Sequence, residues 1–250
     1  MQNMPTHQIT QAVILAAGLG TRLRPLTDSC PKPMLPINGK PLLERIILGL
    51  KAQGITDFIL NLHYLPEKIT GYFGDGSRYG ISIKYVDESE GLSETGGALK
   101  KMEPMLHKNF LFLYGDELHA FNFRPLADFH IKNNALATVV LKRSDVPQNG
   151  DIGEVEPVTR RMVAWHTRPH AITDYGDRLH VNGGLYALSK NIIKYIPAGR
   201  PVKLDGEALP AAMAAGEPVF GWVTNEDILD IGTPEKYKYA EEWQTKRGVA

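Results

Sequence analysis

Short apolar runs alternate with helical segments over residues 11–142, and this alternation limits the possible folds more than any other feature of the sequence. The runs at 12–17 (AVILAA), 58–62 (FILNL) and 110–114 (FLFLY) have the length and composition of buried strands. Between them, apolar residues recur with helical spacing, as over residues 42–50. Alternating strands and helices predict a Rossmann-like α/β fold, with a mixed, mostly parallel sheet and helices on both faces.

Residues 143–250 have a different pattern. Runs at 152–156 and 162–166 predict an antiparallel pair of strands, and later segments predict further strands and a final helix. No Pro/Ser-rich linker separates this part of the chain from the first part. We therefore predict a single domain over residues 11–250, preceded by a flexible extension at 1–10.

The charge and the cysteine content narrow the classes of function. The chain has 28 Lys and Arg residues against 28 Asp and Glu, so nucleic acid is not expected as a partner. Cys30 is the single cysteine, which excludes an intrachain disulfide and fits a reducing compartment. No apolar run is long enough to cross a membrane, and the first residues lack the pattern of a signal peptide. We expect a soluble, cytoplasmic protein without a membrane partner.

A glycine-rich loop at residues 15–23 follows the first predicted strand. Gly18 and Gly20 would let the backbone approach an anion and present N–H groups to it. The loop lacks the third glycine of the dinucleotide fingerprint and the Gly-Lys-Ser/Thr of a P-loop. Arg22 and Lys32 supply positive charge nearby in the sequence. These residues alone fit a phosphate site and a tight strand–helix connection equally well.

Two aspartates follow predicted strands. Asp116 comes after the run at 110–114, and Asp230 comes after Ile228-Leu229. Ligands of α/β sheets bind at the carboxyl ends of strands, where two such carboxylates could converge on Mg²⁺. A turn at Asp116 and a helix cap at Asp230 are the structural alternatives. A glycosidase-like acid/base pair is the competing chemistry, but it does not require the glycine loop or Lys32.

The segment at residues 12–47 closely resembles the signature of the sugar-1-phosphate nucleotidylyltransferases. Gly-x-Gly-Thr-Arg-Leu-x-Pro-x-Thr stands at 18–27, Pro-Lys-Pro at 31–33 and Lys-Pro at 40–41. Further matches follow at 63–64, 94–98, 115–116, 182–186 and 230–234. The chain is most similar in style to short guanylyltransferases for mannose or heptose 1-phosphate, and it also resembles the uridylyltransferase for N-acetylmuramate 1-phosphate.

The resemblance implies the nucleotide-diphospho-sugar transferase type of fold and a Mg²⁺-dependent enzyme. Its reaction would join an NTP to a sugar 1-phosphate by in-line displacement and release pyrophosphate. GTP is the favoured donor, and a hexose or heptose 1-phosphate is the favoured acceptor. The alternatives are a uridylyl- or thymidylyltransferase for another sugar 1-phosphate, and a metal-dependent glycosyltransferase of the same fold. The product would be a nucleotide sugar, a precursor of cell-surface polysaccharide.

The resemblance also implies a role for particular positions. Residues 11–142 would bind the nucleotide and 143–250 the sugar phosphate, and a homo-oligomer is compatible with the sequence. Catalytic roles fall to Arg22, Lys32 and Asp116; metal ligation to Asp116 and Asp230; nucleotide binding to Leu15, Ala16, Ala17, Gly18, Leu19, Gly20, Thr21, Thr95, Gly96 and Gly97; and sugar-phosphate binding to Glu154, Arg168, Asn182 and Asp205.

Two local expectations accompany these roles. Gly96 and Gly97 are predicted to precede a helix that runs to Leu106. A helix start with Thr95 as its N-cap is the structural alternative to ligand binding by this loop, and both can hold together. Many relatives carry Glu-Lys-Pro at the position where this chain has Thr-Arg-Pro, so Thr167 replaces a sugar-binding glutamate while Arg168 keeps the positive charge. This replacement predicts an acceptor sugar that makes fewer or different hydroxyl contacts at this position, or one with a bulkier substituent there.

Overall fold

The computed structural model describes residues 9–144, 146–173 and 176–247. Its helices are α1 (Leu42–Lys51), α2 (Pro66–Phe73), α3 (Glu94–Lys101), α4 (Phe123–Lys132), α5 (Leu209–Ala214) and α6 (Pro234–Lys246). Its strands are β1 (Gln11–Leu15), β2 (Pro36–Ile37), β3 (Lys40–Pro41), β4 (Asp57–Leu62), β5 (Ser82–Asp87), β6 (Asn109–Tyr114), β7 (Glu117–His119), β8 (Ala137–Lys142), β9 (Ile152–Val155), β10 (Met162–His166), β11 (Leu179–Ser189), β12 (Val219–Thr224) and β13 (Ile228–Asp230). The five strands at 12–17, 58–62, 110–114, 152–156 and 162–166 are confirmed to within two residues at each end.

The chain forms two compact units, and each is assembled from separate segments. We call residues 12–92, 113–121 and 226–247 the loop unit, because they include the glycine-rich loop. We call residues 9–11, 93–112, 122–144, 146–173 and 176–225 the hairpin unit, after its antiparallel strands. The predicted single domain stays a prediction, and residues 1–8 of the predicted extension lie outside the described residues.

The loop unit builds its core from parallel strands and one strongly amphipathic helix. Strand β4 lies between β1 and β5, and it pairs with β5 in parallel from Asp57 opposite Ser82. Helix α1 buries the apolar residues Leu42, Leu43, Ile46, Ile47 and Leu50, which recur at the i, i+4 and i+8 spacing of one helix face. A short antiparallel pair, β7 with β13, carries the segment that precedes α6.

The hairpin unit is mainly antiparallel around the long strand β11. Strands β9 and β8 both pair with β11 in antiparallel orientation, β10 pairs with β9, and β12 pairs with β8 in parallel. The core of this unit includes Tyr186, which is fully buried and stacks edge-on against Phe112. Gly221 on β12 is required for packing, because a β-carbon there would lie 2.5 Å from the Val155 side chain.

The start of helix α3 differs from the prediction. The helix begins at Glu94 rather than after Gly97, and its N-cap is Ser93 rather than Thr95. Glu94 has a positive φ of 60°. The N–H groups of Gly96 and Gly97 donate hydrogen bonds to the Val202 carbonyl, so these two residues belong to the helix instead of extending the loop before it. The helix therefore includes both glycines in its first turn and ends at Lys101, short of the predicted Leu106.

Among the residues that the structure describes, none of the helices has both the length and the apolar character needed to cross a membrane.

Candidate functional site

In the glycine-rich loop of the loop unit, neighbouring side chains constrain the backbone at Gly20, whereas Gly18 borders open space. Gly20 has φ of 63°, and a β-carbon on it would lie 3.0 Å from the side chains of both Lys32 and Thr27. The Thr27 hydroxyl donates a hydrogen bond to the Gly20 carbonyl at 2.9 Å, which holds the turn. A β-carbon on Gly18 would meet no atom within 4 Å. Only glycine suits position 20, and the space beside Gly18 is available to a ligand.

A buried polar chain supports the start of this loop. The Ala16 N–H donates to the Asn61 side-chain oxygen at 2.8 Å, and the Asn61 amide donates to Glu88 at 2.6 Å. Asn61 and Glu88 are both buried. Hydrogen bonds in buried surroundings are costly to break, so this chain stabilises the loop where β1 ends. Sequence reasoning missed this support, because its members lie on separate strands and loops.

Lys32 lies between the two predicted metal-binding aspartates. Its Nζ is 2.5 Å from Asp116 Oδ2 and 3.9 Å from Asp230 Oδ1. Lys32 is only 7% exposed. It starts the short helical turn Lys32–Met34, and Pro31 and Pro33 are its neighbours in the chain. The two prolines limit the backbone freedom of this turn, and the lysine is therefore presented to the carboxylates in a restricted orientation.

Asp116 and Asp230 are brought together by the pairing of β7 with β13. Asp230 lies opposite Glu117 in this pair, and the Ile231 N–H donates to the Asp116 carbonyl at 3.0 Å. Gly115 precedes the pair, and a β-carbon on it would lie 2.6 Å from the Leu15 carbonyl oxygen. Close main-chain packing at Gly115 thus places Asp116 beside the end of β1.

Two further basic side chains approach Asp230. The Lys236 Nζ, in the first turn of α6, donates to Asp230 Oδ2 at 2.7 Å. A β-carbon built on Gly232 would lie 2.8 Å from the Asp230 carboxylate and 2.9 Å from Arg22 Nη2. Arg22 therefore lies close to the same aspartate. Sequence reasoning missed Lys236, because a lysine in the first turn of a helix has no distinctive pattern.

The loop unit therefore brings together four of the predicted charged residues: Arg22, Lys32, Asp116 and Asp230. The two basic side chains suit a phosphate, and the two carboxylates suit a cation. The Asp116 and Asp230 side chains are each about one-third exposed, so a ligand can reach them. Over residues 9–144, 146–173 and 176–247, no cluster of three or more His, Cys, Asp or Glu side chains suits a metal ion. A cation bound by these two carboxylates would need water or a ligand for its remaining coordination sites.

In the hairpin unit, Gly96 and Gly97 pack closely against the segment at 202–204. Both of their N–H groups donate to the Val202 carbonyl, at 2.8 and 3.1 Å. A β-carbon on Gly96 would lie 2.9 Å from the same oxygen. The Thr95 hydroxyl accepts a hydrogen bond from the Leu204 N–H at 2.8 Å. The Val202 carbonyl therefore occupies both N–H groups, and nucleotide binding by Gly96 and Gly97 stays a prediction that would have to use other atoms.

Asn182 and Asp205 lie together in the hairpin unit. The half-buried Asn182 amide donates to the Tyr186 hydroxyl at 2.5 Å and to Asp205 Oδ2 at 3.4 Å, and its oxygen accepts from the Gly184 N–H. The register of β11 shifts between Asn182 and Tyr186, and Gly184 has φ of 69°. This bulge turns Asn182 toward the turn that carries Asp205.

Arg168 and Glu154 take part in other ion pairs. The Arg168 side chain donates to Asp151 at 3.2 Å and to the Asn149 carbonyl at 3.0 Å, and it is more than half exposed. Asp151 was not predicted, although its largely buried carboxylate orients Arg168. Glu154 pairs with Arg178 at 3.1 Å, so one of its oxygens already has a charged partner.

Thr167, which replaces the expected glutamate, lies next to the turn that carries Asp205. A β-carbon on Gly206 would be 3.7 Å from the Thr167 methyl group. A small side chain here leaves room beside the Asn182–Asp205 pair.

Comparisons with known proteins give consistent results. The chain matches the family described as nucleotidyl transferase over residues 11–247. A D-glycero-alpha-D-manno-heptose 1-phosphate guanylyltransferase of Aneurinibacillus thermoaerophilus is 33% identical, over 92% of this chain and 96% of its own length. A mannose-1-phosphate guanylyltransferase of Mycobacterium tuberculosis is 36% identical over 94% of this chain, and a UTP–glucose-1-phosphate uridylyltransferase of Synechocystis is 32% identical over 96%. The chain spans only 64% and 63% of the length of these last two relatives.

Solved structures show the same fold. HddC from Yersinia pseudotuberculosis, complexed with GMP-PN, aligns with a TM-score of 0.76 at 26% identity, over 94% of this chain and 99% of its own. A Bacillus anthracis structure in complex with sucrose aligns with a TM-score of 0.81 over 93% of this chain and 94% of its own. At 20% identity this second likeness shows the fold alone. It confirms the predicted class, a mixed sheet of mostly parallel strands flanked by helices.

Proposed function

Because this chain belongs to the nucleotidyl transferase family, as its signature predicted, we propose that it makes a nucleotide sugar from an NTP and a sugar 1-phosphate. The observation that carries the proposal is the nearly buried Lys32 between Asp116 and Asp230 in the loop unit. In the reaction, a phosphate oxygen of the sugar 1-phosphate bonds to the α-phosphorus of the NTP. The bond from that phosphorus to the pyrophosphate oxygen breaks, and pyrophosphate leaves with its electrons.

The loop unit would bind the triphosphate and stabilise its charge. Gly18 borders open space, and Gly20 fixes the turn, so the loop between them can follow a chain of phosphates. Arg22 and Lys32 would offset the negative charge that develops on the leaving pyrophosphate. Because Lys32 is nearly buried and already oriented, little reorganisation is needed as this charge develops. No covalent intermediate with the protein is required, and catalysis comes from positioning and charge.

Asp116 and Asp230 fit a divalent cation, and we propose Mg²⁺. Each carboxylate accepts a hydrogen bond at its Oδ2 atom from a lysine ammonium group, Asp116 from Lys32 and Asp230 from Lys236. An all-oxygen donor set with only two protein ligands is typical of Mg²⁺ in phosphate chemistry. The bound cation would neutralise charge on phosphate oxygens. Lys32 and Lys236 would keep the two carboxylates in place before the cation binds.

The hairpin unit supplies candidates for the sugar phosphate. Asn182 and Asp205 together offer a donor and acceptors, which suits the hydroxyl groups of a sugar. Arg168 would bind the phosphate, since Asp151 orients its guanidinium group and leaves it more than half exposed. Glu154 is the weakest of the four candidates, because Arg178 already engages it.

GTP is the proposed donor, and mannose 1-phosphate or a heptose 1-phosphate is the proposed acceptor. Two relatives in the comparison are guanylyltransferases for these sugars, and the HddC complex holds a guanine nucleotide analogue. The Synechocystis relative favours UTP as the second candidate. Cytoplasmic localisation stays a prediction from the sequence.

The deciding experiment measures pyrophosphate release from each NTP with each of a panel of sugar 1-phosphates and Mg²⁺. We expect release only when both substrates are present, and most of it with GTP. The Lys32→Ala variant is the negative control for a contaminating enzyme. Sugar transfer from a nucleotide sugar without pyrophosphate release would instead indicate a glycosyltransferase.

A further inference from the structure

A cavity of about 450 Å³ lies in the hairpin unit. Its wall is formed by residues just before β1, around the start of β6, at the end of α4 and after it, and around the end of β11. They include Ile9, Lys108, Asn109, His130, Asn134 and Ser189. This volume is in the range of sites that hold small metabolites.

The cavity is distinct from the Asn182–Asp205 pair of the same unit. Asn182 is near the start of β11, and Ser189 is its last residue. Six residues of β11 lie between them, which corresponds to roughly 20 Å along a strand. A molecule in the cavity therefore cannot touch Asn182, and the proposed sugar-phosphate residues do not explain why the cavity exists.

The lining is polar and has a positive bias. Lys108 is exposed at the cavity and makes no ion pair among the described residues, and none of the described lining residues is acidic. Three asparagines and two hydroxyl side chains offer both donors and acceptors, as the hydroxyl groups of a ligand require: Asn109, Asn134, Asn191, Thr10 and Ser189. Phe, Tyr and Trp are absent from this described lining, so the wall offers no broad platform for a nucleobase.

His130 is one of the residues that line the cavity. It is fully buried, and its Nδ1 lies 3.0 Å from the Thr138 hydroxyl. Its Nε2 is buried and has no hydrogen-bond partner. Burial lowers the pKa of His130 to about 4, so the ring is neutral near pH 7 and adds no charge to the cavity wall.

We propose that this cavity is a second ligand site, which binds a small phosphorylated sugar or polyol. Lys108 binds the phosphate group, the asparagines and Ser189 bind the hydroxyl groups, and His130 forms the inner wall. The lining includes none of the residues that we propose for the transfer reaction.

The test is a titration followed by amide NMR of the full chain, with glucose 6-phosphate as the probe and glucose as the uncharged control. We expect saturable shifts of the Asn109, Asn134 and Ser189 amides with the phosphate and much weaker ones with glucose. Lys108→Ala should raise the dissociation constant about fivefold or more, because it removes one charge contact from the phosphate. Lys132→Ala, an exposed lysine of α4 outside the cavity, should leave it unchanged.

Binding should also persist in the Lys32→Ala variant, which separates this site from the proposed catalytic one. The proposal is overturned if these amides do not respond at millimolar probe, or if Lys108→Ala responds like the unaltered chain. It is also overturned if the probe binds only after deletion of residues 1–8, because that result would mean that these residues compete with the probe for the cavity.

Discussion

At the scale of single residues, Lys32 is the most constrained charge of the proposed site. Lys32→Ala should lower turnover roughly 10²–10³-fold, because removal of one preorganised group that stabilises developing charge costs about 2.7–4 kcal/mol of transition-state stabilisation. Lys84→Ala, at an exposed lysine of β5, is the matched control and should retain full turnover. Initial rates and thermal unfolding of both variants check this, and near-normal turnover of a folded Lys32→Ala protein would refute the role.

The two aspartates allow a similar comparison. Asp116→Asn and Asp230→Asn should each reduce Mg²⁺-dependent activity by about 100-fold or more, since an amide is a poorer ligand for a hard cation and leaves phosphate charge uncompensated. Asp227 is the control, because its carboxylate accepts a hydrogen bond from the Trp243 ring N–H at 2.9 Å, on the side of α6. Asp227→Asn should therefore change stability without changing the dependence on Mg²⁺.

Rates measured across a range of Mg²⁺ concentrations distinguish these outcomes. If Asp230→Asn kept the original rate and the original metal dependence, Asp230 would be only a structural partner of Lys236.

At the scale of elements, the contact between β1 and the end of β6 positions Asp116. Gly115→Ala should destabilise the fold by about 1–3 kcal/mol, because its β-carbon would be forced against the Leu15 carbonyl oxygen. Activity should fall more than stability does, since any adjustment moves Asp116 directly. Gly71→Ala on α2 is the control: it meets no atom within 4 Å, and it should stabilise the helix by about 0.5–1 kcal/mol. Chemical denaturation and turnover of both variants test the contrast.

At the scale of the whole molecule, the choice of donor nucleotide is the principal expectation. With all NTPs present at equal concentration and mannose 1-phosphate as acceptor, GTP should be consumed fastest. A single side chain in a binding pocket changes such preferences by about 1–3 kcal/mol, so the margin over UTP should be about tenfold or more. Product analysis by chromatography measures the preference. A tenfold preference for UTP or CTP would refute the donor while leaving the reaction class intact.

The local sequence of this protein determined its elements and its family. The apolar runs that became β1, β4 and β6 were readable because strand length and branching are local properties. The signature from Gly18 to Lys40 was readable because its residues are close together in the chain. The start of α3 was not, because its first turn depends on hydrogen bonds to Val202, more than a hundred residues away.

The arrangement of charges was decided only by the tertiary structure. Lys32 meets Asp116 across 84 positions of the chain, and the pairing of β7 with β13 is what brings Asp230 to the same place. Lys236 joins them because α6 follows that pair directly. Ion pairs and close glycine contacts depend on distances through space, and no periodicity along the chain encodes them. The residue types for phosphate chemistry were therefore visible in the sequence, whereas their grouping around one lysine required the fold.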